Sequence, residues 1–551
     1  MGNDLHVAIQ WSEPQKVVTK FGQRWVRWWT IPEDWLDGFF IFWNTNKATL
    51  KPLGYAIAKN KIGKWVLNEW VTRKPDFKEK FGKANPTVIT KAAIVTTSAL
   101  PEYKVKNISG LREWQVPSVE RLCSSIKVHG AAIDGSDTGT GKSYSAVGVA
   151  RELGLKIAVV CPKAVIHAWK RVITKHFGMD YEFVLNYESV KTGKFKDIGV
   201  WKPVSKISTR EFFQWNLPKN TLIIFDESHR LKGHGTQNAE IAVAAKKQKY
   251  QILCCSATNA INPIELKTTG LILGVYKKNF TQFLRDHDCD KGRFGWEFGG
   301  SKTVLHKLHT ELFVQRGTRI RKEDIVGFPD CDTIAEAYNI DETSEKELKE
   351  VYADMRKELT MLNIKMKTTK EYQINSMVIQ LRARQKAELL KVPLIIEMVE
   401  EAIEDGMSVA VFLNFSESIR ALSKRLKTDC IVWGENKGTE REKNIDAFQD
   451  DTARVILINV KAGGAGLSLH DLNGTYPRLS IISPTPSAVD LRQALGRIHR
   501  DGAKSKALQK IVFVANTEEE DTCERVKLKL ENLDTMNDGD LFPGNIFEES
   551  V

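Results

Sequence analysis

The chain has 551 residues, 42% of them hydrophobic and 27% charged, which indicates an ordinary globular protein of about three or four domains. No apolar run reaches the ~20 residues that cross a bilayer, and the N-terminus lacks a secretion signal, so we expect a cytoplasmic protein without membrane contact. The net charge of +12 suits a polyanionic partner, and the eight scattered cysteines form no pair with metal-ligand spacing.

Residues 1–105 are predicted to form a small β-rich domain. Eight of the 14 tryptophans lie here, and β-prone runs such as GFFIFWN (38–44) and GKWVLNEWV (63–71) occur between Gly, Asn and Pro turns. The aromatic side chains are interpreted as the packing of a small core or as stacking platforms for nucleic-acid bases.

The remaining chain alternates short apolar runs with helix-length stretches, which is typical of a parallel sheet flanked by helices. One set of runs contains KIAVVC (156–161) and TLIIFD (221–226), and a second set contains SVAVFLNF (408–415). We therefore predict an α/β fold with two lobes, 106–328 and 329–535, followed by an acidic tail at 536–551. A charged helical insertion near 341–405 presents a solvated face or, alternatively, a DNA contact.

The stretch SDTGTGKSYSAVGVA (136–150) ends like a phosphate-binding loop, although Ser136 replaces the first glycine of G-x-x-x-x-G-K-S/T. A short strand, AAID, precedes it and a predicted helix follows it. That order places helix amides and Lys142 around the β- and γ-phosphates of a nucleotide, while the Ser143 hydroxyl reaches Mg²⁺.

A second element, LIIFDESHRLKG (222–233), is an apolar strand that ends in two acids. The Asp226 carboxylate can hold Mg²⁺ on the phosphates, and the Glu227 carboxylate can position the attacking water.

A third element lies at 484–505, where Gln493, Arg497 and Arg500 have the i, i+4, i+7 spacing that places them on one face of a helix. Guanidinium groups that project together suit a γ-phosphate whose charge grows in the transition state.

Together with further segments, these elements resemble a known family. The matching segments, in chain order, are LREWQ (111–115), VVCPKAVIHAWKRVITKHF (159–177), DESHRLKG (226–233), CCSATNAINPIEL (254–266), QRGTRIRKEDIVGFPD (315–330), GTEREKNIDAFQ (438–449), INVKAGGAGLSL (458–469) and QALGRIHRDGA (493–503). From about 109 to 530 the chain resembles superfamily 2 helicases and translocases, and specifically the compact, annealing-helicase-like branch of the SNF2-like ATPases found in bacteria and phages.

The resemblance implies two tandem RecA-like lobes with one ATP and Mg²⁺ site split between them, so that hydrolysis requires the lobes to close. It accommodates Ser136, because the loop in this superfamily is commonly A/G-x-x-G-x-G-K-S/T. The implied nucleotide-binding residues are Arg112, Gln115, Gly139, Thr140, Gly141, Lys142, Ser143 and Gly466. The implied catalytic residues are Lys142, Glu227, Gln493, Arg497 and Arg500, and the implied Mg²⁺ ligands are Ser143 and Asp226.

The resemblance also implies that both lobes grip a phosphate backbone, which gives salt-sensitive binding without base specificity. The implied contacts are Lys163, Asn186, Thr258, Asn259, Asn414, Phe415, Lys461, Gly463 and Gly464. The expected partner is duplex or branched DNA, with RNA the less favoured choice, and the expected state is a monomer.

Three functions stay open. The first is a DNA-stimulated ATPase that translocates on duplex DNA and remodels it. The second is a strand-separating helicase on DNA or RNA, which the Ser-Ala-Thr sequence at 256–258 favours because it is more common among strand-separating relatives. The third is a non-catalytic DNA-binding factor with a degenerate ATPase, which the full set of catalytic residues disfavours.

Overall fold

The computed structural model describes the backbone of residues 15–19, 22–30, 55–59, 65–71, 100–203, 211–233, 235–277, 279–292, 295–365, 369–436, 438–463, 467–515 and 517–538, and most side chains from residue 100 onward. The chain divides into two compact units, residues 1–99 and residues 100–551. In the described residues no helix has both the length and the apolar character needed to span a membrane.

The N-terminal unit contains a four-stranded antiparallel sheet in the order β1-β2-β4-β3. Its strands are β1 (Gln15–Thr19), β2 (Gly22–Thr30), β3 (Tyr55–Lys59) and β4 (Trp65–Val71). The predicted β-rich character is confirmed for these strands. The run GFFIFWN lies outside the described residues.

The second unit begins with a first lobe built on a six-stranded parallel sheet. The strands of this lobe, six of which form the parallel sheet, are β5 (Ala131–Asp134), β6 (Lys156–Cys161), β7 (Tyr181–Asn186), β8 (Gly199–Pro203), β9 (Glu211–Trp215), β10 (Thr221–Asp226), β11 (Gln251–Cys255), β12 (Cys289–Gly292), β13 (Gly295–Phe298) and β14 (Gly317–Thr318). Its helices are α1 (Gln115–His129), α2 (Lys142–Leu153), α3 (Ile166–Arg171), α4 (Tyr187–Lys191), α5 (Gln237–Lys247), α6 (Lys267–Leu273), α7 (Phe280–Asp286) and α8 (Lys302–His309). The parallel strands lie in the order β14-β5-β11-β10-β6-β7, while β8-β9 and β12-β13 form separate antiparallel pairs.

The second lobe repeats this plan with the parallel order β15-β20-β19-β16-β18-β17. Its strands are β15 (Cys331–Tyr338), β16 (Ser408–Leu413), β17 (Ile431–Val432), β18 (Val455–Asn459), β19 (Arg478–Ile482) and β20 (Ala507–Val514). Its helices are α9 (Glu342–Lys365), α10 (Thr369–Leu390), α11 (Val392–Glu404), α12 (Ser416–Leu426), α13 (Gly438–Gln449), α14 (Val460–Gly463), α15 (Ala488–Leu495) and α16 (Glu518–Asp538). The predicted α/β architecture of two parallel-sheet lobes is confirmed.

The central strands of each lobe's six-stranded sheet are buried on both faces, which explains why these strands are continuous apolar runs. Along β6, Ile157 and Val159 pack into one core while Ala158 and Val160 pack into the other. The second sheet divides its residues between two cores in the same way. Because all strands in a sheet are parallel, the loops after their carboxyl ends meet along one edge, and this edge carries the candidate site.

The predicted helical insertion corresponds to α9, α10 and α11. The first two helices pack on each other through a small core that includes Leu348, Tyr352 and Ala387. This core also contains Val514, the last residue of β20, so the insertion is attached to the second sheet.

The C-terminal helix α16 contacts both lobes. Val526, Leu530 and Leu533 pack into the core of the second lobe, whereas Met536 packs into the core of the first. The amide of Asn537 donates to the carbonyl of Ala257 at 2.9 Å. The predicted start of an acidic tail at 536 therefore differs from the structure, because the apolar Met536 continues the helix into the first lobe.

A buried ion pair links the insertion to the start of α16. The Lys391 side chain is 0% exposed, and its Nζ lies 2.8 Å from Oε1 of Glu519. The Lys391 ammonium also donates to the Ser483 hydroxyl and the Val512 carbonyl. Removing one charge of such a pair leaves the other buried without a partner.

We expect Glu519→Gln to lower the free energy of unfolding by about 3–5 kcal/mol, because the Lys391 ammonium then has no counter-ion. Urea unfolding followed by circular dichroism measures the change. The matched control is Glu345→Gln, which breaks an exposed ion pair with Lys349 on α9 and should cost less than about 1 kcal/mol. Equal losses in the two variants would contradict the prediction.

Candidate nucleotide site and nucleic-acid surface

The phosphate-binding loop follows β5 and ends where α2 begins. Gly139 and Gly141 have φ angles of +90° and +89°, a left-handed conformation that favours glycine. A Cβ atom on Gly141 would lie 2.3 Å from Nε2 of Gln115. The loop is therefore tightly packed, and it presents the first amides of α2 to one cavity.

Ser136, which departs from the glycine pattern, has a structural role in the loop. Its hydroxyl accepts a hydrogen bond from the backbone N–H of Ile320 at 3.1 Å, and its carbonyl accepts one from Nζ of Lys142 at 2.8 Å. Lys142 Nζ also donates to the carbonyl of Asp137 at 3.0 Å. Lys142 thus lies over the loop that a phosphate group would occupy.

Arg112 and Gln115, which the family resemblance implied as nucleotide-binding residues, line the cavity beside this loop. The Gln115 amide donates to the carbonyls of Thr140 and Gly141, each at 3.1 Å. Its Oε1 accepts from the backbone N–H of Arg112 at 2.9 Å. Gln115 therefore braces the phosphate loop in this conformation, and a contact between Gln115 and the nucleotide stays a prediction.

The two acids lie at the end of β10. The Trp169 indole donates to Oδ2 of Asp226 at 2.7 Å. Glu227 has φ +51°, a left-handed conformation that costs a non-glycine residue about 1–3 kcal/mol and is often found at functional sites. This turn directs both carboxylates toward the same cavity, which both residues line.

The two carboxylates have opposite pKa shifts. Burial and the neighbouring Glu227 raise the pKa of Asp226 to about 6. Burial also acts to raise the pKa of Glu227, but its hydrogen bond and electrostatic interaction with His229, and then the charge of Lys142, lower this pKa to about 2. Glu227 is thus an anion at neutral pH and can accept hydrogen bonds from a water molecule.

Asp226 and Ser143 fit the predicted Mg²⁺ site. Both line the cavity, and carboxylate and hydroxyl oxygens are hard donors of the kind that Mg²⁺ prefers. Mg²⁺ in phosphate-transfer sites commonly takes one or two protein ligands and completes its shell with waters and phosphate oxygens. These two residues would hold the ion against the phosphates.

The helix α15 and the residues after it face this cavity from the second lobe. Gln493 Nε2 donates to Oε2 of Glu227 at 3.4 Å. Arg500 donates to the Ser468 hydroxyl at 2.9 Å, and a Cβ atom on Gly496 would lie only 2.0 Å from Oγ1 of Thr138. The two lobes are therefore in contact beside the phosphate loop.

Arg497 is buried and Arg500 is half-buried. Burial lowers the pKa of Arg497 to about 10, and burial together with Arg497 lowers the pKa of Arg500 to about 9. Both groups remain protonated at neutral pH. They line the same cavity of about 620 Å³ as the phosphate loop and the two acids, so a polyanion placed there would be flanked by positive charge from both lobes.

The acids are also connected to the segment after β11. His229 Nδ1 lies 3.2 Å from Oε2 of Glu227 and 3.2 Å from the Ser256 hydroxyl. It lies 3.4 Å from the Thr258 hydroxyl. A rearrangement of the 256–259 segment would therefore change the hydrogen bonds that hold Glu227.

The predicted nucleic-acid contacts of the first lobe do not share one environment. Lys163 is exposed after β6, and Asn186 is half-buried at the end of β7. Thr258 and Asn259 are only 1% and 4% exposed. The Asn259 amide accepts from the Ser228 hydroxyl at 3.0 Å and donates to the Ser256 carbonyl at 2.8 Å. In this conformation the polar groups of Thr258 and Asn259 serve internal contacts, and a nucleic-acid contact by either residue stays a prediction.

Three predicted contacts of the second lobe lie together. Asn414, Phe415 and Lys461 line one cavity of about 780 Å³ at the carboxyl edge of the sheet. The Glu388 carboxylate accepts from the backbone N–H groups of Asn414 and Phe415, at 2.9 Å and 3.0 Å. Gly463 ends α14, and Gly464 and the predicted nucleotide contact Gly466 lie outside the described residues.

The structure adds cavity-lining residues that were not predicted, among them Trp114, Tyr144, His176, Ser468, His470 and Asp501. Tyr144 and His176 meet edge to face with ring centroids 4.8 Å apart, and Arg112 lies 3.7 Å from the Asp501 carboxylate across the lobes. Trp114 is adjacent to the predicted Gln115, so its aromatic character was an available signal. Tyr144 and Asp501 likewise directly follow the predicted Ser143 and Arg500 in the chain.

Two family models match the chain. Residues 108–260 match the family described as "Type III restriction enzyme, res subunit", and residues 390–502 match "Helicase conserved C-terminal domain". These ranges contain the phosphate loop, the two acids and the arginines.

Several known proteins are similar to the chain. One, from Acanthamoeba polyphaga mimivirus, carries the description "Putative ATP-dependent RNA helicase"; it is 32% identical over 78% of this chain and 84% of its own length. Proteins named SWI/SNF-related matrix-associated actin-dependent regulator of chromatin subfamily A-like protein 1, from Drosophila melanogaster, and its homolog from Caenorhabditis elegans are 23% and 24% identical over 75% of this chain. The chain spans 54% and 60% of the length of these two relatives.

Two solved structures also match. The Sulfolobus solfataricus SWI2/SNF2 ATPase core in complex with dsDNA has a TM-score of 0.33 and 17% identity, covering 80% of this chain and 95% of that one. S. cerevisiae Dbp5 bound to RNA and ADP BeF3 has a TM-score of 0.43 and 10% identity, covering 77% of this chain and 91% of that one.

The mimiviral relative matches most of both chains, the SWI/SNF-related relatives match most of this chain, and the two family models cover the phosphate loop, the paired acids and the arginines. The chain therefore belongs to superfamily 2, as a SNF2-like nucleic-acid-dependent ATPase and helicase.

Proposed function

We propose that this protein is an ATP-driven translocase that moves along duplex or branched DNA and remodels it without base specificity. The observation that carries the proposal is that one cavity is lined by the phosphate loop and paired acids of the first lobe and by Arg497 and Arg500 of the second. A site assembled from two lobes couples ATP binding to their relative position, which is what a stepping motor requires.

In the proposed reaction each residue has a defined task. The α2 amides and Lys142 hold the β- and γ-phosphates, and Glu227 orients the attacking water as a hydrogen-bond acceptor. Arg497 and Arg500 stabilise the charge that grows on the transferred phosphoryl group. Ser143 and Asp226 would hold Mg²⁺, which would supply neutralisation of the negative charge on the phosphate oxygens.

The track for nucleic acid is proposed along the carboxyl edges of the two sheets. In the first lobe Lys163 and Asn186 lie on the same edge as the phosphate loop, and in the second lobe Lys461 borders the cavity with Asn414 and Phe415. Contacts of this kind to a phosphate backbone carry no sequence information. Cleft closure would then move one group of contacts relative to the other.

Duplex DNA is favoured as the track because two relatives are named as SWI/SNF-related regulators of chromatin. A second candidate, strand separation on RNA, is supported by the mimiviral relative described as an RNA helicase and by the Ser-Ala-Thr segment at 256–258. The two functions differ in substrate and in what happens to base pairs, so they can be separated in solution.

The first test compares ATPase stimulation by duplex DNA, forked DNA, single-stranded DNA and RNA, together with triplex displacement and strand displacement. We expect the strongest stimulation by duplex or forked DNA and displacement of a third strand without duplex unwinding. Strongest stimulation by RNA, with strand displacement, would replace the proposal by the second candidate. Turnover that no nucleic acid stimulates would exclude both.

We expect Lys142→Ala and Glu227→Gln each to reduce ATP turnover at least about 100-fold, because each removes a group that acts at the phosphates. Steady-state phosphate release measures the loss. Glu227→Gln should retain nucleotide binding, since Glu227 orients water and does not hold the phosphates.

The matched controls for these two variants are Lys156→Ala and Glu182→Gln. Lys156 and Glu182 form an ion pair near the opposite edge of the same sheet, with Nζ and Oε1 2.7 Å apart. These controls should leave turnover unchanged. Full activity of Lys142→Ala would show that the loop is not the phosphate site.

We expect Lys461→Ala to weaken nucleic-acid binding about equally for all sequences and to reduce the slope of log affinity against log salt by about 1, because one phosphate contact is lost. Fluorescence anisotropy at several salt concentrations measures both quantities. The control is Lys424→Ala, an exposed lysine near the end of α12, which runs away from the carboxyl edge. An unchanged salt slope for Lys461→Ala would contradict the prediction.

A further inference from the structure

A buried guanidinium links the phosphate loop to the end of the C-terminal helix. Arg319, with a side chain 8% exposed, lies 2.9 Å from Oδ1 of Asp137 and donates to the carbonyl of Gly135 at 2.6 Å. Its other edge forms a two-point contact with Asp538, through Nε to Oδ1 at 2.6 Å and Nη2 to Oδ2 at 3.1 Å. We call Asp137, Arg319 and Asp538 the Arg319 bridge.

In addition to its contact with Arg319, Asp137 makes backbone contacts that hold the shape of the phosphate loop. Its carbonyl accepts from Nζ of Lys142 at 3.0 Å and from the Thr140 hydroxyl at 2.9 Å. Its backbone N–H donates to the carbonyl of Ile320 at 2.9 Å. A shift of Asp137 therefore shifts the groups that hold Lys142 in place.

The charges around Asp137 stabilise it in its ionised form. Burial acts to raise the pKa of Asp137, but the charge of Arg319, followed by those of Arg492 and Lys322, lowers the pKa to about 2. The Asp137 carboxylate also accepts from the backbone N–H of Lys322 at 3.2 Å. Loss of the Arg319 charge would leave a buried carboxylate short of a counter-ion beside the phosphate loop.

The partner of Arg319 at the other end belongs to a helix anchored on the second lobe. Asp534 of this helix pairs with Arg492 of α15, and Leu533 packs into the core of the second lobe. Asp538, four residues after Asp534, contacts Arg319. A displacement of α16 relative to the first lobe is thus transmitted to Asp137 through one side chain.

We propose that Arg319 is a positioning residue for ATP binding and that Asp538 holds it in place, so that the C-terminal helix sets the geometry of the phosphate loop. The proposal rests on the ATP-binding role of the loop and is independent of which nucleic acid the protein follows. A guanidinium is required because its planar fork can meet both carboxylates and a carbonyl at once, which a lysine ammonium cannot do with the same geometry.

The experiment measures the Kd of a fluorescent ATP analogue with Mg²⁺, and kcat and KM for ATP, in the full-length chain. Arg319→Gln should raise Kd and KM about 10- to 100-fold with a smaller loss in kcat, since misplacement of a binding group by about 1 Å has effects of this size. Asp538→Asn should act in the same direction. The double variant should bind no more weakly than Arg319→Gln, because both substitutions break the same link.

Three further variants make the result decisive. Glu531→Gln removes another contact of α16 with the first lobe, an ion pair to Lys302 at 3.2 Å, and should leave Kd unchanged. Arg319→Lys should restore the thermal midpoint toward that of the parent chain without restoring Kd, whereas a merely structural role predicts that both recover together. If Arg319→Gln does not fold, Asp538→Asn and Arg319→Lys carry the same test.

The proposal is overturned if Arg319→Gln lowers the thermal midpoint but leaves Kd and KM unchanged, or if Glu531→Gln weakens binding as much as Asp538→Asn does. Lys142→Ala serves as the reference for the site itself. Unchanged analogue binding in Lys142→Ala would count against the nucleotide site as a whole, and it would do so whatever the Arg319 variants show.

Discussion

The central constraint in this molecule is the burial of positive charge that two lobes share around one cavity. Arg497 and Arg500 remain cations although desolvation lowers the pKa of both groups, and they line the same cavity as Lys142. Such a concentration of partly desolvated cations is costly unless anionic groups compensate for it. Glu227 provides part of that compensation, and a triphosphate would provide the remainder while holding the lobes together.

The contacts of Glu227 connect the candidate hydrolysis site with the relative position of the two lobes. Glu227 touches Gln493 of the second lobe and His229 of its own lobe, and His229 in turn contacts Ser256. The carboxylate that would orient water is therefore held partly by closure of the cleft and partly by the segment after β11. Ser228 donates to Asn259 in that segment, so the polar groups behind the acids form one continuous set of hydrogen bonds.

Much of this fold was predictable from local patterns. The runs KIAVVC and TLIIFD became β6 and β10 with the same limits, because central parallel strands are buried on both faces and carry unbroken apolar runs. The strand β15 was not predicted; it lies at the edge of its sheet, is only half-buried and has a mixed sequence, CDTIAEAY.

The candidate site also has a part that local sequence patterns predicted and a part that they did not. The phosphate loop, the two acids and the arginine face depend on spacing within single segments, and the structure brings all three to one cavity. The indole of Trp169 on Asp226 and the Ser136 contact to Ile320 join segments that are far apart in the chain, so no local pattern indicates them. The buried Asn259 likewise accepts a hydrogen bond from Ser228, which lies 31 residues earlier in the chain.

The meeting of Arg319 and Asp538 has a mechanical consequence. The chain passes from the first lobe to the second in the segment after β14, and α16 returns to the first lobe at that same place. Both connections between the lobes therefore meet at one pivot point beside the candidate nucleotide cavity. When one lobe rotates about this point relative to the other, atoms near the point move little, whereas the surfaces of the lobes far from it move through long arcs. In the proposed translocase, small adjustments around a phosphoryl group would thereby become larger displacements of the surfaces that contact nucleic acid.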